Sequence, residues 1–170
     1  MSELGRLSSE EMKQAKHNNF VFVLDGIRSL NNVGSIFRTA DSFAAGKIFL
    51  CGFTGQPPHR DIQKTALGST ETVEWQYFSE ITVSLNALKE EGFIIAAIEQ
   101  TENSETLGSF QFNQKEKYAF ILGNEVSGVS NEALALCDLV LEIPQFGSKH
   151  SLNVSVTAGI IAWEFVSQHL

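Results

Sequence analysis

The chain is short of the residues that mark most specialised environments. Its 170 residues hold two cysteines and three prolines. Cys51 and Cys137 stand far apart among apolar neighbours and read as free, mostly buried thiols. That excludes a disulfide framework and a cysteine metal site, and no metal is expected. No apolar run is long enough to span a bilayer, and residues 1–6 lack the basic-then-apolar layout of a signal peptide, so a cytoplasmic location is expected. Positive charge is scarce too: 12 Lys and Arg stand against 20 Asp and Glu, a formal net charge of −8. Indiscriminate polyanion binding is thereby excluded, and a nucleic-acid partner would have to meet cations gathered locally. With no repeats, linkers or low-complexity tracts, one domain over 1–170 is expected.

What is present is a 43% hydrophobic content patterned in alternating runs. Ser8 and Glu11 form a capping box ahead of Met12 and Ala15, predicting a short helix within 1–16. The run 20–24 (FVFVL) has the character of a strand covered on both faces. From Val33, the residues Ile36, Phe37, Ala40, Phe43 and Ala44 make a helical stripe, with Asn32 as its expected cap and Gly46 its stop. Further strands are expected at 47–51, 73–78, 93–98, 118–122 and 139–143. Helices are expected at 79–91 capped by Ser79, at 130–137 capped by Ser130, and from Asn153 to about Gln168. The stretches 52–60 and 101–114 read as a loop and a polar connection. Such alternation predicts an α/β protein with a mainly parallel sheet. The final helix is apolar nearly all round, so Trp163, Phe165 and Val166 are expected at a subunit interface.

Three polar clusters follow predicted strands, where open α/β sheets place ligands. In the first, Gly34 is expected to bring backbone close to a ligand at the helix start, and Arg38 reads either as a functional cation or as a surface arginine paired with Asp41 or Ser42. The second carries Gly123, Glu125 and Gly128. It lacks the Gly-Lys-Ser/Thr of a Walker loop and the Gly-x-Gly-x-x-Gly of a dinucleotide fold, and a carboxylate between its glycines would repel phosphate. An uncharged or cationic ligand is indicated there. The third runs from Ile143 to Ser155, with Pro144 setting its entry, Gly147 expected to permit an unusual turn, and Gln145, Ser148, Lys149, His150 and Ser151 offering polar groups. It reads either as a well-made strand-to-helix connection or as one wall of a ligand site.

Taken in order, Asn32-x5-Arg38, Gly123-x-Glu125-x-x-Gly128 and Ile143-Pro-x-x-Gly147-x3-Ser151-Leu-Asn153 resemble the three motifs of the SpoU (TrmH) family of RNA ribose 2′-O-methyltransferases, within the SPOUT superfamily. The likeness extends from about Phe20 to the C-terminus. It implies a SPOUT-type α/β fold whose C-terminal segment, about 118–168, forms a trefoil knot. It implies S-adenosylmethionine as cofactor, bound by Leu122, Gly123, Glu125, Gly128, Ile143, Gly147, Ser151 and Leu152. Asn32, Arg38, Glu125, Ser151 and Asn153 become the catalytic set by the same resemblance. Guanidinium groups are poor bases, their pKa lying above about 12, so an arginine here stabilises a developing alkoxide or grips a phosphate more readily than it takes a proton. Ser151 and Asn153 would hold ribose or phosphate oxygens, and Glu125 would orient Arg38 or an asparagine amide.

Five cations, Arg28, Arg38, Arg60, Lys64 and Lys149, fall in or beside the loops expected to border the site and are the candidate RNA contacts. The stretch 60–69 is expected to face substrate. Many relatives carry an added RNA-binding domain or basic extensions. With about 15 residues before the core, this chain is expected to rely on its core, a dimer groove or another protein, and to act on a small substrate such as a tRNA stem-loop rather than on a ribosomal site. The expected partners are therefore RNA and a second copy of the chain, docked through the C-terminal helix. The competing expectation is a non-catalytic RNA-binding protein on the same fold.

Overall fold

The computed structural model describes residues 17–148 and 151–170. The helix expected around Ser8 and Glu11, and the candidate contacts Lys149 and His150, lie outside the described residues. Among the described residues, seven strands form one sheet: β1 (Phe20–Asp25), β2 (Ile48–Cys51), β3 (Trp75–Phe78), β4 (Phe93–Ile98), β5 (Glu105–Thr106), β6 (Lys117–Leu122) and β7 (Leu139–Glu142). Their order is β3-β2-β1-β6-β4-β7-β5, and every pairing is parallel. The α-helices described are α1 (Leu30–Ser42), α2 (Arg60–Ala66), α3 (Ile81–Glu90), α4 (Asn131–Leu134) and α5 (Val154–Ser167).

The apolar strands are explained by the two layers they separate. Phe20, Phe22 and Leu24 of β1, with Tyr118, Phe120 and Leu122 of β6, pack under α1, α2 and α5. Val21, Val23, Ala119 and Ile121 face α3 and α4. Both sides of each central strand are buried, so neither shows a polar alternation. The layer under α5 is aromatic: the Phe165 ring lies 5.3 Å from Phe20, 5.2 Å from Phe112 and 5.7 Å from Phe120. Phe165 is thus a core residue, which corrects its expected place at a subunit interface; truncating such a ring to alanine costs about 3–5 kcal/mol. Trp163 remains outside, 55% exposed, with its ring 6.5 Å from Phe43. Both cysteines are free, and burial pushes each thiol up to about 11, which leaves them inert.

Several local expectations shift. Ser29, not Asn32, caps α1: its Oγ accepts from the Asn32 N–H at 3.3 Å. Helix α3 starts after Glu80 with no side-chain cap, so Ser79 does not serve as one. Helix α2 lies where no helix was expected, beyond the loop read at 52–60, and β5 interrupts the expected polar connection. Ser130 and Asn153 do cap their helices, accepting from Ala133 N–H at 3.4 Å and Ser155 N–H at 2.8 Å. Gly34 faces a neighbouring helix. A side-chain carbon there would strike the Ile62 carbonyl and the Thr65 hydroxyl, so its role is the close approach of α1 to α2.

Candidate active site

A cleft of about 680 Å³ opens at the carboxyl ends of β4 and β6 and is closed by the chain between β7 and α5. Ile98, Leu122, Ile143 and Leu152 give it apolar walls, while Glu99, Asn131, Gln145 and Thr157 bring polar groups. Of the residues singled out in the sequence, Leu122, Gly123, Glu125, Gly128, Ile143, Ser151, Leu152 and Asn153 line it together. Gly147 does not line it, and its φ is not left-handed, so neither the expected turn nor a crowded neighbour demands glycine there.

The lip of the cleft is a hydrogen-bonded chain across three loops. Glu125 accepts from the backbone N–H of Arg28 and of Ser29, each at 3.0 Å, and from the Asn32 side-chain amide at 3.2 Å. The Asn32 carbonyl oxygen in turn accepts from the Asn153 amide at 3.2 Å. Asn153 still caps α5, because its Oδ1 takes the Ser155 N–H and hydroxyl. Partial burial pushes the Glu125 carboxyl up, but donation from Arg28, Ser29, its own N–H and Asn32 outweighs that and holds it below the usual carboxylate range. Glu125 is therefore ionised and engaged, an orienting group for Asn32 rather than for Arg38.

Arg38 lies elsewhere. Together with Lys64 it lines a second groove, of about 440 Å³, between α1 and α2, beside Ser35, Thr39, Ser42 and Thr65. The residues Asp41 and Ser42 do not hold its guanidinium: Asp41 accepts from the Thr72 hydroxyl, and the Ser42 hydroxyl donates to the Arg38 backbone carbonyl at 2.9 Å. Arg28 reaches the site through its N–H alone, and Arg60 opens α2.

Two residues not picked out in the sequence organise the cleft. Asn124 is buried; its amide donates to the Gly26 carbonyl, and its Oδ1 accepts from the N–H groups of Val126 and Ser127, at 2.9 and 3.0 Å. An Asn two residues after a strand end and before Glu-Val-Ser was the signal, since Asn nucleates such turns. Glu99, at the end of β4, accepts from the Val129 N–H at 2.9 Å and packs against Gly128, whose φ of 71° suits glycine. Among the described residues, no three His, Cys, Asp or Glu gather as a metal site, and no helix is long and apolar enough to cross a membrane.

Residues 19–163 match the SpoU rRNA Methylase family. The chain belongs to that family. Among SpoU relatives, it is 30% identical over 144 residues to the 23S rRNA (guanosine-2′-O-)-methyltransferase of Neisseria meningitidis, covering 85% of this chain and 56% of that enzyme. It is also 30% identical over 169 residues to the tRNA (guanosine(18)-2′-O)-methyltransferase of Thermus thermophilus, covering 99% of this chain and 85% of the other. The chain thus spans little more than half of some curated relatives. Its fold is that of SpoU methyltransferases: the AdoMet-bound rRNA methyltransferase from Sinorhizobium meliloti aligns with a TM-score of 0.84 at 23% identity, over 94% of this chain and 60% of that one.

Proposed function

We propose that this chain is an S-adenosylmethionine-dependent RNA methyltransferase that modifies a ribose 2′-hydroxyl. The observation that carries the reading is the Glu125–Asn32–Asn153 chain at the mouth of a cleft lined by backbone and carboxylates. The cleft suits the cofactor by its charge. Glu99 and Glu125 are the charged groups among its described lining residues, a poor seat for a phosphorylated nucleotide and a fitting one for a sulfonium and an ammonium. Leu122, Ile143 and Leu152 would hold the adenosyl group, with Gly123 and Gly128 as backbone contacts. When bound, the cofactor supplies an electrophilic methyl group, so the chemistry asks chiefly for an aimed hydroxyl.

The residues of the chain supply that aim. The amides of Asn32 and Asn153, fixed by Glu125, present one donor and one acceptor direction to a ribose, and Ser151 adds a hydroxyl on the same wall. Glu125, already accepting three donors and held ionised, keeps the pair in register and does not take the proton. Arg38 and Lys64 grip RNA phosphate in the groove between α1 and α2, which supports the phosphate-binding reading of Arg38. Arg28, Arg60 and Lys149 extend the cationic rim.

The relatives carry tRNA and rRNA names alike; a tRNA is the proposed substrate because this chain spans 85% of the Thermus tRNA enzyme but 56–68% of the 23S rRNA enzymes of Neisseria meningitidis and Haemophilus influenzae. A homodimer through the exposed side of α5, with Val156 and Trp163, a cytoplasmic setting and a knotted path for the C-terminal segment belong to the same proposal. The path is supported by α5, which leaves β7 near one sheet edge yet packs on Phe20 of central β1. Two measurements test the reading: calorimetry with S-adenosylmethionine, expected to show binding, and nucleoside mass spectrometry of tRNA and rRNA from a deletion strain, expected to lose one 2′-O-methylnucleoside. No binding and an unchanged nucleoside profile would overturn it.

A further inference from the structure

Phe53 is 66% exposed at the tip of the turn after β2, yet the turn is held rigidly. Gly52 N–H donates to the Phe78 carbonyl at 3.0 Å and Thr54 N–H to the Cys51 carbonyl at 3.2 Å. The Tyr77 hydroxyl donates to the Gly52 carbonyl at 2.9 Å. The buried Thr54 hydroxyl donates to the Leu24 carbonyl at 3.1 Å and accepts from Ile27 N–H at 3.0 Å. The ring itself is pinned on one face: a side-chain carbon on Gly26, whose φ is 64°, would lie above the ring plane, 3.0 Å from Cζ and 3.2 and 3.4 Å from the two Cε atoms. With that face seated on Gly26, the exposure belongs largely to the opposite face.

Isolated exposed apolar residues are ordinary. This one differs in being unable to fold back, and in its neighbours. The Gly26 backbone it touches is tied through the Asn124 amide to the cleft wall. Arg28 stands two residues along, and His59 and Arg60 end the Phe53 loop. The acids nearby are Asp25, which accepts from Ser130 N–H at 2.7 Å, Glu125, taken up by its three donors, and Asp61 in the first turn of α2. Phe146, between β7 and α5, is 97% exposed and so has nothing to fix its ring.

We infer that Phe53 is a substrate-positioning residue, a platform on which an unpaired base of the RNA stacks while its ribose enters the cleft. The inference rests on the methyltransferase reading. It names the substrate class as RNA presented single-stranded or with the nucleotide splayed out, because bases within a duplex have no free face to offer. The flanking cations would hold the adjoining phosphates.

The test uses Phe53→Ala, Phe53→Leu and Phe53→Trp with tritiated S-adenosylmethionine and total RNA from a strain lacking the gene. Phe53→Ala is expected to raise the RNA KM about five- to a hundredfold, with cofactor affinity and Tm unchanged. Phe53→Leu keeps apolar bulk against Gly26 but no ring, and is expected to lose as much. Phe53→Trp is expected to hold KM within about twofold and to gain fluorescence quenched by RNA, since every base offers a stacking face. A wild-type KM in Phe53→Leu would reduce the residue to local packing and overturn the inference, as would a wild-type KM in Phe53→Ala. If the wild-type protein binds no cofactor and methylates no RNA, the methyltransferase reading falls and the platform with it.

Discussion

The cleft and the groove between α1 and α2 are built on one helix and carry opposite charge. The described walls of the cleft hold Glu99 and Glu125; the groove holds Arg38 and Lys64. Asn32 and Arg38 sit six residues apart on α1, which separates them by about 9 Å along the axis and about 120° around it. A single motif therefore serves two surfaces, one suited to a cationic small ligand and one to a polyanion. On the proposed function, an acidic chain handles RNA on these terms because, among the described residues, Arg38 and Lys64 line the groove while the charges of the cleft wall are carboxylates.

Substitutions on either side should break that division differently. The largest effect is expected from Glu125→Ala, which releases Asn32 and two loop N–H groups: methyl transfer in single-turnover assays should fall about 10²–10³-fold while RNA affinity stays. Next come Arg38→Ala and Lys64→Ala. Each should weaken RNA binding and lower the slope of log affinity against log salt by about 1, with cofactor affinity unchanged in calorimetry. An Arg38→Ala substitution that left cellular RNA methylation unchanged while RNA binding persisted would move the chain toward the non-catalytic reading. A smaller effect separates the two duties of Asn153. Asn153→Ala removes the α5 cap, worth about 1 kcal/mol, and should lower Tm by about 2–4 °C. Asn153→Asp keeps the cap but cannot donate to Asn32, so thermal stability should hold while turnover falls.

The smallest effect is acid dependence. The Glu125 carboxyl is lowered in the folded chain, so the stability it adds is fully present above its unfolded value of about 4.3 and is lost as pH falls below that, through the folded value. Its exposure keeps the contribution small. Thermal melts should show wild type ahead of Glu125→Gln near neutrality and the two converging in acid.

Much of this was legible in the residues. The six longer strands followed from apolar runs, α1 from its stripe, α3 from its flanking signals and α5 from a nearly unbroken apolar run, and the three motifs marked the loops that meet. Helix α2 was missed because seven residues with only Ile62 and Ala66 buried make too short a stripe to register a period. Two-residue β5 gave no pattern at all. The cap of α1 was displaced because Ser29 and Asn32 are both good caps, and only the Glu125 contact, 93 residues away in sequence, shows that Asn32 is employed elsewhere. Glu99 was missed for the same reason: its partner, the Val129 N–H, is 30 residues away, whereas the local turn that Asn124 makes with Val126 and Ser127 was legible and went unread. Gly34 was seen but misassigned, since a glycine that admits a ligand and one that admits a neighbouring helix look alike until the helix is placed.

The ring of Phe165 on Phe20 has a consequence for how the protein is made. Strand β1 is made about a hundred residues before its neighbour β6, and earlier still than the helix whose Phe165 covers it. At about 5–20 residues per second, its phenylalanines wait several seconds for those partners. For those seconds the nascent chain exposes a strand that the fold buries on both faces.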